Sequence, residues 1–233
     1  IVGCDFDDNN ATYMAGGIYI SGANATLNLC NFTKNYADND GGALYITGEN
    51  ATLANSTFTN NTAGDDGGAV NWIGDHGTLR NVTADYNKGL SIFKDGHQSN
   101  SKGGSFIIQS NYLTADLLNI SNSYAEQLAG GLFLTGNYVN LSNIYFENCT
   151  TNSTVGYEGN HSGGAMNIVG NNTRIVNATI ISCLAYDGGG IYWEGNDGYI
   201  SNISIDNCSS TLDGAGLYLT GNRSNFYDVF VSN

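Results

Sequence analysis

The sequence predicts an all-β chain coiled into a parallel β-helix of about eight to nine turns, with about 26 residues per turn. Three observations predict it. A glycine-rich step recurs eight times at a nearly constant interval, a second apolar strand follows each step, and no window carries a convincing helical period. The steps open the strands Ile18-Tyr19-Ile20, Leu44-Tyr45-Ile46, Val70-Asn71-Trp72, Phe106-Ile107-Ile108, Leu132-Phe133-Leu134, Met166-Asn167-Ile168, Ile191-Tyr192-Trp193 and Leu217-Tyr218-Leu219. Their middle positions are 16, 42, 68, 104, 130, 164, 189 and 215, giving spacings of 26, 26, 36, 26, 34, 25 and 26.

The second strand alternates apolar and polar residues between turn signals, as in Leu27-Asn28-Leu29-Cys30-Asn31-Phe32, Leu53-Ala54-Asn55-Ser56-Thr57-Phe58 and Ile200-Ser201-Asn202-Ile203-Ser204-Ile205. A unit of two or three short strands cannot bury its own apolar face. It can do so by coiling once and stacking on the next coil at about 4.8 Å, which makes a rod roughly 40 Å long. Equivalent residues then form inward columns. One runs Ile18, Leu44, Val70, Phe106, Leu132, Met166, Ile191 and Leu217; another runs Phe6, Phe32, Phe58, Ala84, Ile120, Phe146, Ile180, Ile205 and Val231. Three residues beyond the second lies Asn9, Asn35, Asn61, Asn87 and Ser123, continued by Cys149, Cys183 and Cys208. An inner asparagine ladder of this kind contributes on the order of 1 kcal/mol per hydrogen bond. Cys4 and Cys30 share another column. Stacked coils bring cysteine α-carbons within disulfide reach, but stacked thiols also pack as small hydrophobes, and mostly free, buried thiols are the expectation.

The step Gly41-Gly42-Ala43-Leu44-Tyr45-Ile46, paired with Phe32 to Asn35 and Phe58 to Asn61, resembles the repeats of chlamydial polymorphic outer-membrane proteins and of adhesin-like β-helix proteins of methanogenic archaea. The resemblance covers essentially the whole chain and rests on a short architectural motif. It implies a single right-handed parallel β-helix (solenoid) domain over residues 1–233 at the cell surface, and it carries over no catalytic residue.

Seven basic against 21 acidic residues give a net charge of −14. Nucleic acid is therefore not an expected partner, because phosphate neutralisation needs clustered Lys and Arg. No apolar run approaches 18 residues, so membrane insertion is not expected either. Proline is absent beside 32 glycines, in keeping with a regular ladder. The chain begins at Ile1 in the middle of a repeat, and a removed leader or a fragment are both open.

The sharpest functional signal is the density of Asn-x-Ser/Thr acceptors. They start at Asn10, Asn24, Asn31, Asn50, Asn55, Asn60, Asn81, Asn119, Asn140, Asn148, Asn152, Asn160, Asn171, Asn177, Asn202, Asn207 and Asn222, 17 in all. A shuffled chain gives about a third as many. A glycan occupies only outward positions, so covalent N-linked sugar is the expected modification.

Chemistry-bearing clusters are few. The outward positions of the first strand, Tyr19, Tyr45, Asn71, Ile107, Phe133, Asn167, Tyr192 and Tyr218, form an aromatic stripe expected on an exposed sheet, with surface carbohydrate a further candidate partner. In the next outward column only Glu194 is a carboxylate, whereas acid–base catalysis needs two matched groups; no enzyme activity and no catalytic residue are expected. Asp40 and Asp66, and Asp187 and Asp213, fall on adjacent coils as candidate Ca²⁺ ligands, although turn-forming Asp before Gly explains them as well. Two corner insertions, 88–102 and 150–162, carry Lys88, Lys94, His97 and Lys102, and Tyr157, Glu158 and His161. At the ends, the strand that holds Ile1, Val2 and Phe6 recurs as the one that holds Phe226, Val229 and Val231, so copies stacked head to tail would continue the ladder into a filament. The expected product is a non-enzymatic, N-glycosylated extracellular surface rod. The alternatives are the stalk of a larger adhesin that binds glycans or cells, and a carbohydrate-active β-helix enzyme.

Overall fold

The structure is a computed structural model that describes residues 1–91, 93–94, 97–98, 100–152 and 162–233. These residues form an all-β solenoid of about eight turns with no helix among them. Each turn contributes to three parallel sheets. The first contains Asp5–Asp7, the pair Thr26–Asn28 and Asn31–Thr33, then Thr52–Thr59, Thr78–Asp85, Thr114–Ser121, Asn140–Glu147, Arg174–Ile181, Tyr199–Asp206 and Asn225–Ser232. The second is built from two-residue strands, from Asn10–Ala11 and Tyr36–Ala37 to Leu184–Ala185 and Ser209–Ser210. The third holds the glycine-step strands, from Ile18–Ile20 to Leu217–Thr220. The second sheet is too short for any periodicity to announce it, and sequence reading did not separate it from the turns.

The registers agree with the expected columns. Ile18 pairs with Leu44, Leu44 with Val70, Val70 with Phe106, and so on to Leu217. In the first sheet Phe6, Phe32, Phe58 and Ala84 are consecutive rungs. The rings of Phe6, Phe32 and Phe58 stack at 4.8 and 4.6 Å. Where Ala84 ends that stack, Phe106 of the third sheet meets Phe58 edge-on at 5.7 Å, which fills the space the smaller side chain leaves. Trp72 and Trp193 are fully buried in the same bore.

Inside, the asparagine ladder runs as expected. Asn9 donates to Asn35 Oδ1 at 2.8 Å, Asn35 to Asn61 Oδ1 at 3.0 Å and Asn61 to Asn87 Oδ1 at 3.0 Å. The amides of Asn35, Asn61 and Asn87 also donate to strand carbonyls, as Asn61 Nδ2 does to Phe32 O at 3.0 Å. Asn87 turns to Ser105 Oγ, which contacts Ser123 Oγ at 2.7 Å. In the cysteine continuation the Cys183 N–H donates to Cys208 Sγ at 3.4 Å. All five cysteines are free thiols, four of them buried. The hydrogen bond with Cys149, followed by burial, pushes the Cys183 thiol well above its ordinary range.

The first sheet departs from strict alternation. At Leu29, Asn55, Asn81, Leu117, Asn143, Asn177, Asn202 and Asp228 the backbone is left-handed, with φ between 47° and 57°. The expected period of two slips by one residue there, so Ala54 and Asn55 both face outward and Ser56 returns to the interior. Leu29, which the alternation counted as an apolar strand position, is 55% exposed, and Leu117 at the same place on a later coil is 44% exposed. Asparagine tolerates this conformation because its short amide bonds locally.

Candidate functional site

The outer surface is where the sequence signal and the structure meet. Of the described acceptor asparagines, Asn10, Asn24, Asn31, Asn50, Asn55, Asn60, Asn81, Asn119, Asn140, Asn148, Asn177, Asn202, Asn207 and Asn222 are exposed, and Asn152 and Asn171 are half-buried. Asn160 lies outside the described residues. The buried asparagines are Asn35, Asn61, Asn71, Asn87 and Asn167, and none of them has Ser or Thr two positions later. The pleat supplies the reason. Residues i and i+2 share a face, so an outward Asn81 is followed by outward Thr83, while inward Asn35 and Asn61 are followed by inward Ala37 and Ala63.

Several acceptors are held in outer ladders. Asn81 Nδ2 donates to Asn55 Oδ1 at 2.8 Å, Asn177 Nδ2 to Asn143 Oδ1 at 3.0 Å and Asn202 Nδ2 to Asn177 Oδ1 at 2.8 Å. A side-chain amide has two N–H donors, so attaching sugar to one leaves the other for the rung. Asn24, Asn50, Asn60, Asn148 and Asn207 sit at left-handed turn positions, and there too Asn148 Nδ2 donates to Asn122 Oδ1 at 3.1 Å and Asn207 Nδ2 to Ser182 Oγ at 2.9 Å. Asn171 is the most committed: its N–H and Nδ2 both donate to Asn137 Oδ1, and its own Oδ1 accepts from the N–H and Nδ2 of Asn196.

The aromatic stripe requires correction. On the outer face of the third sheet Tyr45, Asn71, Phe133, Asn167 and Tyr192 are buried, and Ile107 is fully so. Chain arriving from the second sheet crosses this face before each glycine step. Leu128 and Ala129 pack with Ile107 and Phe133, the Lys102 ammonium lies 5.5 Å from the Phe133 ring, and Ser162 Oγ accepts from Asn167 Nδ2 at 2.7 Å. Tyr19, at 53% exposure, is the open member. Tyr192 donates through its hydroxyl to Glu194 Oε1 at 2.6 Å and stacks on Tyr218 at 4.8 Å.

The paired acids come together as expected, with their oxygens engaged by backbone. Asp40 Oδ1 accepts the Asp66 N–H at 3.3 Å, Asp66 Oδ1 the Lys102 N–H at 2.9 Å and Asp187 Oδ1 the Asp213 N–H at 3.0 Å. Among the described residues no three of His, Cys, Asp and Glu gather closely enough to hold a metal ion. Burial, with the charge of Asp65 adding and Lys102 opposing, pushes Asp66 up to about 7. Burial raises Asp40 as well. The native state therefore keeps a proton that the unfolded chain releases at the ordinary carboxylate value. Stability falls as pH rises between about 4 and 7 and levels off above. Asp66→Asn keeps the oxygen that caps Lys102 and removes the charge. Its stability gain near pH 8 is expected to be roughly 1–3 kcal/mol, discounted for partial solvent contact, and to vanish near pH 4 in urea melts.

The end residues also have places in the columns. Ile1, Val2, Phe226 and Val231 are exposed, whereas Phe6 and Val229 are half-buried. At the corners, Lys88–Gly89 and Thr150–Thr151 are regular rungs of the second sheet, and Lys102 and Ser162 rejoin the array through bridges to Leu128 and Asp187. Lys94 and His97 lie in a two-stranded antiparallel hairpin, Phe93–Lys94 with His97–Gln98. Tyr157, Glu158 and His161 lie outside the described residues. A shallow concavity of about 310 Å³ on the first sheet is lined by Asn143, Tyr145, Asn177, Thr179, Asn202 and Phe230 among others, with no carboxylate in the lining.

Sequence reading overlooked an exposed ring stack at the corner after the glycine-step strand. His76 lies 5.0 Å from Tyr112, and Tyr112 lies 5.2 Å from Tyr138, with interplanar angles of 4° and 5°. Recurrence of ring residues in the column of Asn24 and Asn50 was the available signal.

No protein-family model matches the chain, and no curated protein is significantly similar to it.

Proposed function

We propose that the chain is a non-enzymatic extracellular structural rod whose outer surface carries N-linked sugar. The observation that supports this reading is the segregation of asparagines. Every described acceptor has a solvent-reaching side chain, and every buried asparagine lacks the acceptor pattern. The bore is filled with apolar side chains, which leaves the outer faces and corners for interaction. Cryo-electron microscopy and glycopeptide mapping of natively isolated material test the proposal together. Sugar is expected on several exposed acceptors, with Asn35, Asn61 and Asn87 bare. All acceptors bare would overturn it.

Stacking of copies into a filament is a second reading, favoured by register. Phe226, Val229 and Val231 occupy the columns of Ile1, Cys4 and Phe6. One offset therefore sets all three pairs in line, although the joint so made is one rung short in the second and third sheets. The same images decide it. Continuous β-ladder through the joints supports stacking; separate rods with free ends exclude it and favour the adhesin-stalk alternative. Cleavage of acidic polysaccharides by the purified rod would revive the enzyme alternative.

A further inference from the structure

The exposed ring stack has a neighbour of matching chemistry. Asn24, Asn50, His76, Tyr112, Tyr138 and Asn172 occupy one turn position on consecutive coils, each with left-handed backbone at φ between 54° and 60°. Tyrosine is poorly suited to that conformation, and asparagine or glycine would fill it at lower cost. Yet Tyr112 and Tyr138 keep it while 52% and 50% exposed. The three rings lie nearly parallel, one above another at the interval of the coils. One face of the His76 ring turns to Tyr112; the other turns to the rung of Asn50, which begins the acceptor Asn50-Ala51-Thr52. At the opposite end Tyr138 faces Asn172, which is followed by Thr173 and Arg174 and is no acceptor.

We propose that this stack is a sugar platform, on which the pyranose ring linked to Asn50 seats against the face of His76 and extends the stack by one coil. The proposal rests on the glycosylated reading above and adds the place where one glycan is held. A pyranose presents an apolar face of C–H groups, and an aromatic face attracts positively polarised hydrogens through its quadrupole. The coil interval of about 4.8 Å is also the separation at which ring faces meet. The sugar on Asn50 thereby lies along the rod, while the one on Asn24, a coil farther from the rings, extends freely.

Proton NMR of the protein produced with its glycans tests this. The ring protons of the Asn50-linked sugar are expected to be displaced upfield relative to those on Asn24. In His76→Asp, which places at this column the residue type found at Asp197, the displacement should be lost while the melting temperature stays within a few degrees of the parent. An Asn50 sugar without the displacement, or with one that survives His76→Asp, overturns the platform and leaves the glycosylated rod standing. Asn50 bare beside other occupied acceptors also overturns the platform. All acceptors bare overturns the underlying reading.

Discussion

Gly104→Ala is expected to break the rod at its middle. A Cβ on Gly104 would overlap the carbonyl oxygen of Gly130 on the next coil and lie 2.6 Å from Tyr124 C and 2.7 Å from Tyr124 N. All three obstacles are backbone, so no side-chain rotation relieves them. The coil must instead move away from its neighbour, and the hydrogen bonds from the N–H of Gly104 to Ala129 O and of Ser105 to Gly131 O lengthen or part. The loss should exceed about 4 kcal/mol, the range reserved for a backbone that cannot adopt its native path. Because each coil rests only on its neighbours, the damage divides the stack. Calorimetry should then show a lower and broader transition, and limited proteolysis should cut near residue 104 before it cuts elsewhere. A single transition at the parent temperature would contradict the packing described.

Asn61→Leu is expected to cost about 3–5 kcal/mol although it keeps the branched shape of the side chain. The Asn61 oxygen accepts the N–H and Nδ2 of Asn35, and its amide serves Phe32 O and Asn87 Oδ1. Leucine removes that side-chain partner from each: the Asn35 amide keeps Phe6 O and Asn87 Oδ1 keeps the N–H of residue 61, whereas the Asn35 N–H and Phe32 O lose theirs in a site without solvent. The neighbouring Asn60 is the internal control. It is exposed with φ at 57°, so Asn60→Gly satisfies the backbone and should change stability by less than about 0.5 kcal/mol. Paired urea titrations of the two variants separate the inner asparagines from the outer ones.

Much of the fold was legible in the sequence because each rung repeats the same physical demand. Ile18 to Leu217 must be apolar on every coil, and a carbonyl lies too close to Gly42, Gly68, Gly104 and Gly164 for a Cβ. What was not legible are features whose cause is tertiary. The second sheet consists of pairs such as Tyr36–Ala37 and Thr62–Ala63, too short for alternation to register. The slip at Leu29 and Leu117 lies in their left-handed backbone, and leucine there gives no local warning of it. Tyr45 and Phe133 point outward as the alternation expects, yet crossing chain covers them, and nothing in their own strands records that cover. On the candidate surface, the acceptor positions were legible from the pleat. The stacking of His76, Tyr112 and Tyr138 was obscured by the insertion that changes the spacing from 26 to 36.

The asparagine ladders also set the rod's polarity. Inside, the amides of Asn9, Asn35 and Asn61 donate one N–H to the next oxygen toward the C-terminal coils, while Asn35 and Asn61 return the other N–H to Phe6 O and Phe32 O. On the first sheet's outer face and at the corner, those of Asn81, Asn177, Asn202, Asn137 and Asn196 point theirs toward the N-terminal coils. Each chain polarises itself cooperatively, but the two sets oppose, and parallel strands add little net dipole. The axial moments therefore largely cancel, and an applied field gains little purchase on the ladders.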